Sequence, residues 1–187
     1  MAAREALREQ ACRDGLTSLL NRNSIIQKLQ SELARSARHR TPVALLMLDL
    51  DHFKQINDGH GHLAGDAALR ECACRLKAVI RPYDSVGRYG GEEFIVIMPG
   101  SDYFESQAQA ERLRKTIACP WNFEDTLIPL TCSIGVATFP LHASISSDLI
   151  VAADAALYTA KTAGKNCVRM AIPASPSPPV VVPLVGS

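Results

Sequence analysis

Arg88-Tyr-Gly-Gly-Glu-Glu-Phe94 sets two glycines directly before two carboxylates, between segments whose residues read as strands. Gly90 and Gly91 are expected to take the positive φ values of a tight hairpin, and without side chains they let a ligand approach the backbone. Glu92 and Glu93 then stand on a rigid turn, where hard oxygen atoms suit Mg²⁺. Taken alone, the same turn also reads as an ordinary solvated hairpin. The rest of the chain decides between the two.

Upstream, the apolar run Val43 to Leu48 ends in Asp49-Leu-Asp51 and continues as His52-Phe-Lys-Gln-Ile-Asn-Asp58. A buried strand that delivers a carboxylate at its C-terminal end, just before a helix start, is where α/β architectures gather ligand chemistry. Asp49 is therefore expected to meet Glu92 and is the better metal candidate. Asp51 reads either as a further site acid or as the N-cap of the next helix.

Periodicity supplies the frame. Apolar residues recur at helical spacing at Ile25, Ile26, Leu29 and Leu33, at Leu69, Cys72, Leu76 and Val79, at Ala110, Leu113 and Ile117, and at Leu149, Ala153, Ala156 and Ala160. Strands are expected near 43–49, 85–89, 93–98, 131–139 and 167–171, with a small hairpin near 121–130 bounded by Pro120 and Pro129. The order is βαββαβ with additions, which predicts an α+β fold: an antiparallel-dominated five-stranded sheet with helices on one face.

The chain has 187 residues, enough for one core, and a formal net charge of +1, which gives no general attraction to nucleic acid. Phosphate binding must then come from a few placed cations. Cys12, Cys72, Cys74, Cys119, Cys132 and Cys167 are scattered without a CxxC pair, and no signal peptide is apparent. Reduced thiols and a cytoplasmic location are expected. His52, His60 and His62 lack the spacing of a zinc motif. No apolar run approaches the roughly 20 residues that cross a bilayer. Residues 1–12 read as a helical lead-in, 13–172 as the folded domain, and 173–187 as a proline-rich tail without fixed structure, whose Val180-Val-Val182 also allows a docking role.

Asp14-Gly-Leu-Thr17, Leu20-Asn-Arg22, Asp49-Leu-Asp-His-Phe-Lys54, Asn57-Asp58, Gly61-His62, Gly65-Asp66, Arg88 to Phe94, Ser133-Ile-Gly-Val136, Ala153-Asp154, Tyr158 and Ala160-Lys161 follow one another in the order of a known pattern. The chain resembles the GGDEF domain, the catalytic domain of diguanylate cyclases, over roughly residues 11–170. Ser18 departs from the Gly common in the first motif. The resemblance implies a palm-like architecture shared with nucleotidyl cyclases and polymerases.

It also implies a chemistry. Two GTP molecules would be joined, the 3′-hydroxyl of each attacking the α-phosphate of the other, to give cyclic di-GMP and two pyrophosphates. Two Mg²⁺ or Mn²⁺ ions would be held by Asp49, the Leu50 carbonyl, Glu92 and Glu93, with Glu92 the assigned proton acceptor and Glu93 beside it. Guanine would be read by Asn57 and Asp66, with His62 nearby, because an ionised carboxylate accepts from the adjacent N1–H and amino donors that adenine lacks. Asp66 also reads as a helix N-cap after Gly65. The amides of Phe53 and Lys54, the Lys54 charge, Gly90, Gly91, Lys161 and Lys165 would meet the substrate and its phosphates; relatives often carry Arg where Lys165 stands. Arg81 and Asp84, with Arg112 on a later helix, match a product-inhibition site, or else form a surface ion pair at a helix end.

One half-site would hold one GTP, so catalysis would need a homodimer. Relatives usually carry a sensory domain upstream, which suggests either an excised catalytic unit or one that works alone. The rival reading from another class is a silent module that binds GTP or cyclic di-GMP as a receptor; silent members lose acids that Asp49, Glu92 and Glu93 retain. A different palm enzyme would leave the guanine-reading and inhibition motifs unexplained.

Overall fold

The computed structural model describes residues 11–173; the expected lead-in before residue 11 and the tail beyond 173 lie outside the described residues. Strand β1 (Val43–Leu50) is the centre of the architecture, and all eight of its residues are buried. It is flanked antiparallel by β3 (Glu93–Pro99) on one side and β6 (Cys132–Phe139) on the other. With β2 (Ser85–Gly90) and β7 (Val168–Met170) the sheet runs β2-β3-β1-β6-β7, and only the β6–β7 pair is parallel.

A strand buried along its whole length needs cover on both faces, and the side chains divide by parity. Ala44, Leu46 and Leu48 join Phe94, Val96 and Met98 in one core, closed by helices α3 (His62–Val79) and α4 (Tyr103–Ile117). Val43, Leu45 and Met47 join Ile95 and Ile97 in a second core, closed by α1 (Arg22–His39) and α5 (Ser146–Thr162). Helices therefore cover both faces, which corrects the expectation of one. The two crossover helices of the βαββαβ core do share a face; α1 and α5 seal the other. The four predicted periodic stripes are the buried faces of these four helices.

Local signals fix the ends. Asn21 caps α1 by accepting from Ser24 N–H at 3.0 Å, and Asp102 with Glu105 forms a capping box on α4. A short helix α2 (Phe53–His60) follows β1, and β4 (Trp121–Phe123) with β5 (Thr126–Ile128) forms the small hairpin expected there. Gly135 sets how closely α5 can lie on β6: a Cβ there would strike the Ala153 carbonyl and the Leu157 amide. That close approach brings the end of α5 over the end of β1.

Candidate active site

The signature hairpin folds with Gly91 and Glu92 at its tip, since Gly90 pairs with Glu93. Gly91 has φ +43°, whereas Gly90 is a strand residue without positive φ, so only one glycine carries the turn. A register shift between Arg88 and Gly90 bulges the strand beside it. Arg88 braces the tip by donating from Nε to the Gly91 carbonyl at 2.9 Å, and its Nη1 reaches both Asp14 carboxylate oxygens at 3.3 Å. Burial of Asp14 opposes ionisation, but the Thr17 hydroxyl and N–H and the Arg88 guanidinium outweigh it, and its carboxyl is held below the usual range. Asp14-Gly-Leu-Thr17 is thus a buttress under the hairpin. Ser18 at its end has φ +57°, a left-handed value, at the position where the resemblance leads one to expect Gly.

Asp49 stands directly opposite Glu93 across the β1–β3 pair, and Leu50 N–H donates to the Glu92 carbonyl at 3.3 Å. The buried Asp49 carboxylate takes Lys161 Nζ of α5 at 2.7 Å. Burial pushes the Asp49 carboxyl up, Lys161 pulls it back, and Glu92 and Asp51 push it up again. Glu93 is pushed up by burial, then by the charge of Asp49, with Lys161 opposing and Asp154 and Glu92 adding. Lys161, expected among the phosphate contacts, thus also balances this acid group. Hard carboxylate oxygens in excess of the cation that reaches them suit a divalent ion in chemistry. Among the described residues, no three acids, histidines or cysteines are already grouped to hold one.

Asp51 is not an N-cap. The α2 cap is His52, with φ +59° and no side-chain bond, while the buried Asp51 carboxylate accepts from Thr131, Ser133 and the Asn166 amide. Phe53 and Lys54 occupy the first turn of α2, whose amides a helix start leaves over; Lys54 is exposed.

Asn57 packs against Gly65 where α2 meets α3: a Cβ at Gly65 would clash with the Asn57 amide oxygen, so the missing side chain of Gly65, next in sequence to Asp66, makes room for Asn57. Asp66 is half-buried inside α3, whose cap is Gly61, so the N-cap reading of Asp66 fails as well. His62 is exposed at the first position of α3. Lys165 lies in the turn after α5 with φ +64°, its N–H bonded to the Ala160 carbonyl at 3.2 Å.

Arg81, Asp84 and Arg112 gather at the other end of β2, roughly 20 Å from the tip at about 3.3 Å per residue. They do not form the ion pair of the alternative reading. Asp84 accepts from the Arg81 backbone N–H at 2.9 Å, while the guanidinium lies 5.9 Å from the Tyr83 ring centre and donates to its hydroxyl. Arg112 donates to the Val79 carbonyl and Gln109, each at 2.9 Å. Burial pushes Asp84 up against the pull of that N–H and of the Arg81 and Arg112 charges, and its Oδ1 is buried without a partner.

A family model described as diguanylate cyclase, GGDEF domain, matches residues 11–167. The chain belongs to the GGDEF family. It is 40% identical over 168 residues to the diguanylate cyclase DgcP of Pseudomonas aeruginosa, covering 89% of this chain but 25% of that protein. Its fold matches the coiled coil and GGDEF domain of DgcB from Caulobacter crescentus, solved with c-di-GMP, at TM-score 0.84, 31% identity and 91% coverage of both chains. The active GGEEF domain of a Vibrio cholerae diguanylate cyclase matches at TM-score 0.77 and 32% identity, over 83% of this chain and 99% of that one. The palm-like α+β fold is therefore that of the GGDEF family. Among the described residues no helix is long and apolar enough to cross a membrane.

Arg88, Asp14, Asp154 and Tyr83 are site neighbours to which the sequence reading gave no role of their own. Each stood in or beside a quoted motif, which was the available signal; what each touches depends on which strands and helices become neighbours.

Proposed function

We propose that this GGDEF domain is a diguanylate cyclase, condensing two GTP into cyclic di-GMP and two pyrophosphates at the interface of two copies, each supplying one half-site. The observation that carries the reading is Asp49 facing Glu93 across the sheet, with Glu92 at the hairpin tip and Asn57 packed against Gly65, the residue before Asp66.

Asp66 would accept from guanine N1–H and the amino group, and Asn57, which both donates and accepts, would take another edge of the base. The triphosphate would lie between the first-turn amides of α2 at Phe53 and Lys54 and the cations Lys161 and Lys165, with bare backbone at Gly90 and Gly91 letting it approach the hairpin. Glu92 would accept the proton of the 3′-hydroxyl as that oxygen attacks the α-phosphate, and Glu93 beside it adds negative charge to the cation site. Two Mg²⁺ or Mn²⁺ ions, held by Asp49, the Leu50 carbonyl, Glu92 and Glu93, would acidify that hydroxyl and neutralise the departing pyrophosphate. Arg81, Asp84 and Arg112 would bind product, with the Asp84 carboxylate accepting from guanine donors and the arginines matching phosphate.

The retained acids favour this reading over a silent receptor. Incubation with GTP and Mg²⁺, after removal of bound dinucleotide by a phosphodiesterase, is expected to yield two pyrophosphates per cyclic di-GMP by mass spectrometry and phosphate assay. GTP that binds without releasing pyrophosphate would support the receptor instead.

A further inference from the structure

The turn that carries Lys165 is an improbable piece of backbone. Gly164, Lys165 and Asn166 have φ of +107°, +64° and +43° in succession; Gly and Asn tolerate the left-handed region, whereas the Lys165 side chain disfavours it. Something outside the turn must hold it. Arg114 Nη1 donates to the Asn166 side chain at 2.6 Å, and the Asn166 backbone N–H donates to Asp51 Oδ2 at 2.9 Å.

Asp51 is built as an anchor. It is 4% exposed, its own N–H is fixed on the Thr131 carbonyl at 2.9 Å, and its carboxylate takes the Ser133 hydroxyl at 2.7 Å and the Thr131 hydroxyl at 2.9 Å. An ionised carboxylate only accepts, and here three donors from two parts of the chain converge on it. Two residues earlier, Asp49 holds Lys161 from the last turn of α5. The end of β1 thus grips the α5–β7 connection twice, by a side chain at Lys161 and by backbone at Asn166.

We propose that Asp51 is a positioning residue for triphosphate binding, acting through Lys165: it fixes the left-handed turn so that the Lys165 ammonium is presented to the phosphates. The inference rests on Lys165 being a phosphate contact, as in the function proposed above, and assigns Asp51 a role that neither the strand-end metal reading nor the N-cap reading gives it.

A double-mutant cycle tests it by equilibrium binding rather than turnover, using a GTP analogue whose α–β bridging oxygen is a methylene, with guanosine as the base-only probe. Losing one charge-assisted phosphate contact should weaken analogue binding about tenfold in Lys165→Ala. Asp51→Ala should give a similar loss of about tenfold for the analogue while guanosine affinity stays within about twofold, and should add less than about twofold in the Lys165→Ala background. Asp51→Asn, which keeps the shape and one acceptor oxygen, keeps the cycle readable if the alanine variant does not fold; a loss of about threefold with the same non-additivity is expected. Equal losses for analogue and guanosine, or an Asp51 effect that persists undiminished without Lys165, would overturn the proposal and leave the phosphate role of Lys165 standing. Unchanged analogue binding in Lys165→Ala would overturn that role and the proposal with it.

Discussion

The two ends of strand β2 hold opposite electrostatic arrangements built on the same element. At the hairpin end, the charges of Asp49, Glu92 and Glu93 act on one another, and Lys161 pairs with Asp49. At the other end, Asp84 is the acid and Arg81 and Arg112 surround it, yet neither guanidinium is spent on it. Burial pushes both Asp49 and Asp84 up, but a lysine side chain offsets it in one case and a backbone N–H comes first in the other. An excess of acid calls for cations and a phosphate bound through them; an excess of arginine calls for an anion directly. On the proposed function, placing them at opposite ends of one strand would let substrate and product bind the same domain without competing for the same atoms.

Substitutions can break this contrast at either end. Glu92→Gln should lower cyclic di-GMP formation by about 10²–10⁴-fold, as expected for loss of a group that takes a proton in the transition state, while GTP binding survives. Product assays paired with equilibrium binding separate the two effects, and full turnover in that variant would dissolve the distinction between the ends. For Asp66→Asn, the preference for GTP over ATP should drop by about 10²-fold, because the carboxylate no longer presents two acceptors to the guanine donors. Competition between the nucleotides measures it directly.

At the arginine-rich end, Arg81→Ala should raise the cyclic di-GMP concentration needed for half-inhibition by about tenfold or more. Inhibition at full strength would mean that product acts elsewhere. The smallest effect belongs to the buttress. Because the Asp14 carboxyl lies below its usual 3.8 when folded, its stabilisation is complete above that value and fades as pH falls through the lower folded one. Asp14→Asn should therefore cost about 1 kcal/mol near neutral pH, with the difference from the parent shrinking in acid. Thermal melts across that range check the sign.

Much of this molecule is legible in its sequence because its signals are local. Leu29 and Leu33, or Leu69 and Leu76, mark buried helix faces by spacing alone, and the strands appear as short apolar runs. The run Val43 to Leu48 also carries the information that was misjudged, since a strand apolar at consecutive positions cannot leave one face to solvent. The N-cap reading of Asp51 failed for a different reason. Its position before a helix imitates a cap, whereas its partners Thr131, Ser133 and Asn166 lie 80 to 115 residues away and become neighbours only through the sheet. Gly65 belongs to the same class: nothing nearby in the sequence says that the Asn57 side chain will fill the space a Cβ would take.

The central claim is that each copy supplies half of one reaction centre. Initial rates of cyclic di-GMP formation from GTP and Mg²⁺, measured over a wide range of protein concentration after bound dinucleotide has been stripped, test it most directly. The proposed half-site arrangement predicts a rate that climbs with roughly the square of protein concentration until dimers saturate. A rate strictly proportional to protein at every dilution, or no product despite bound GTP, would contradict it.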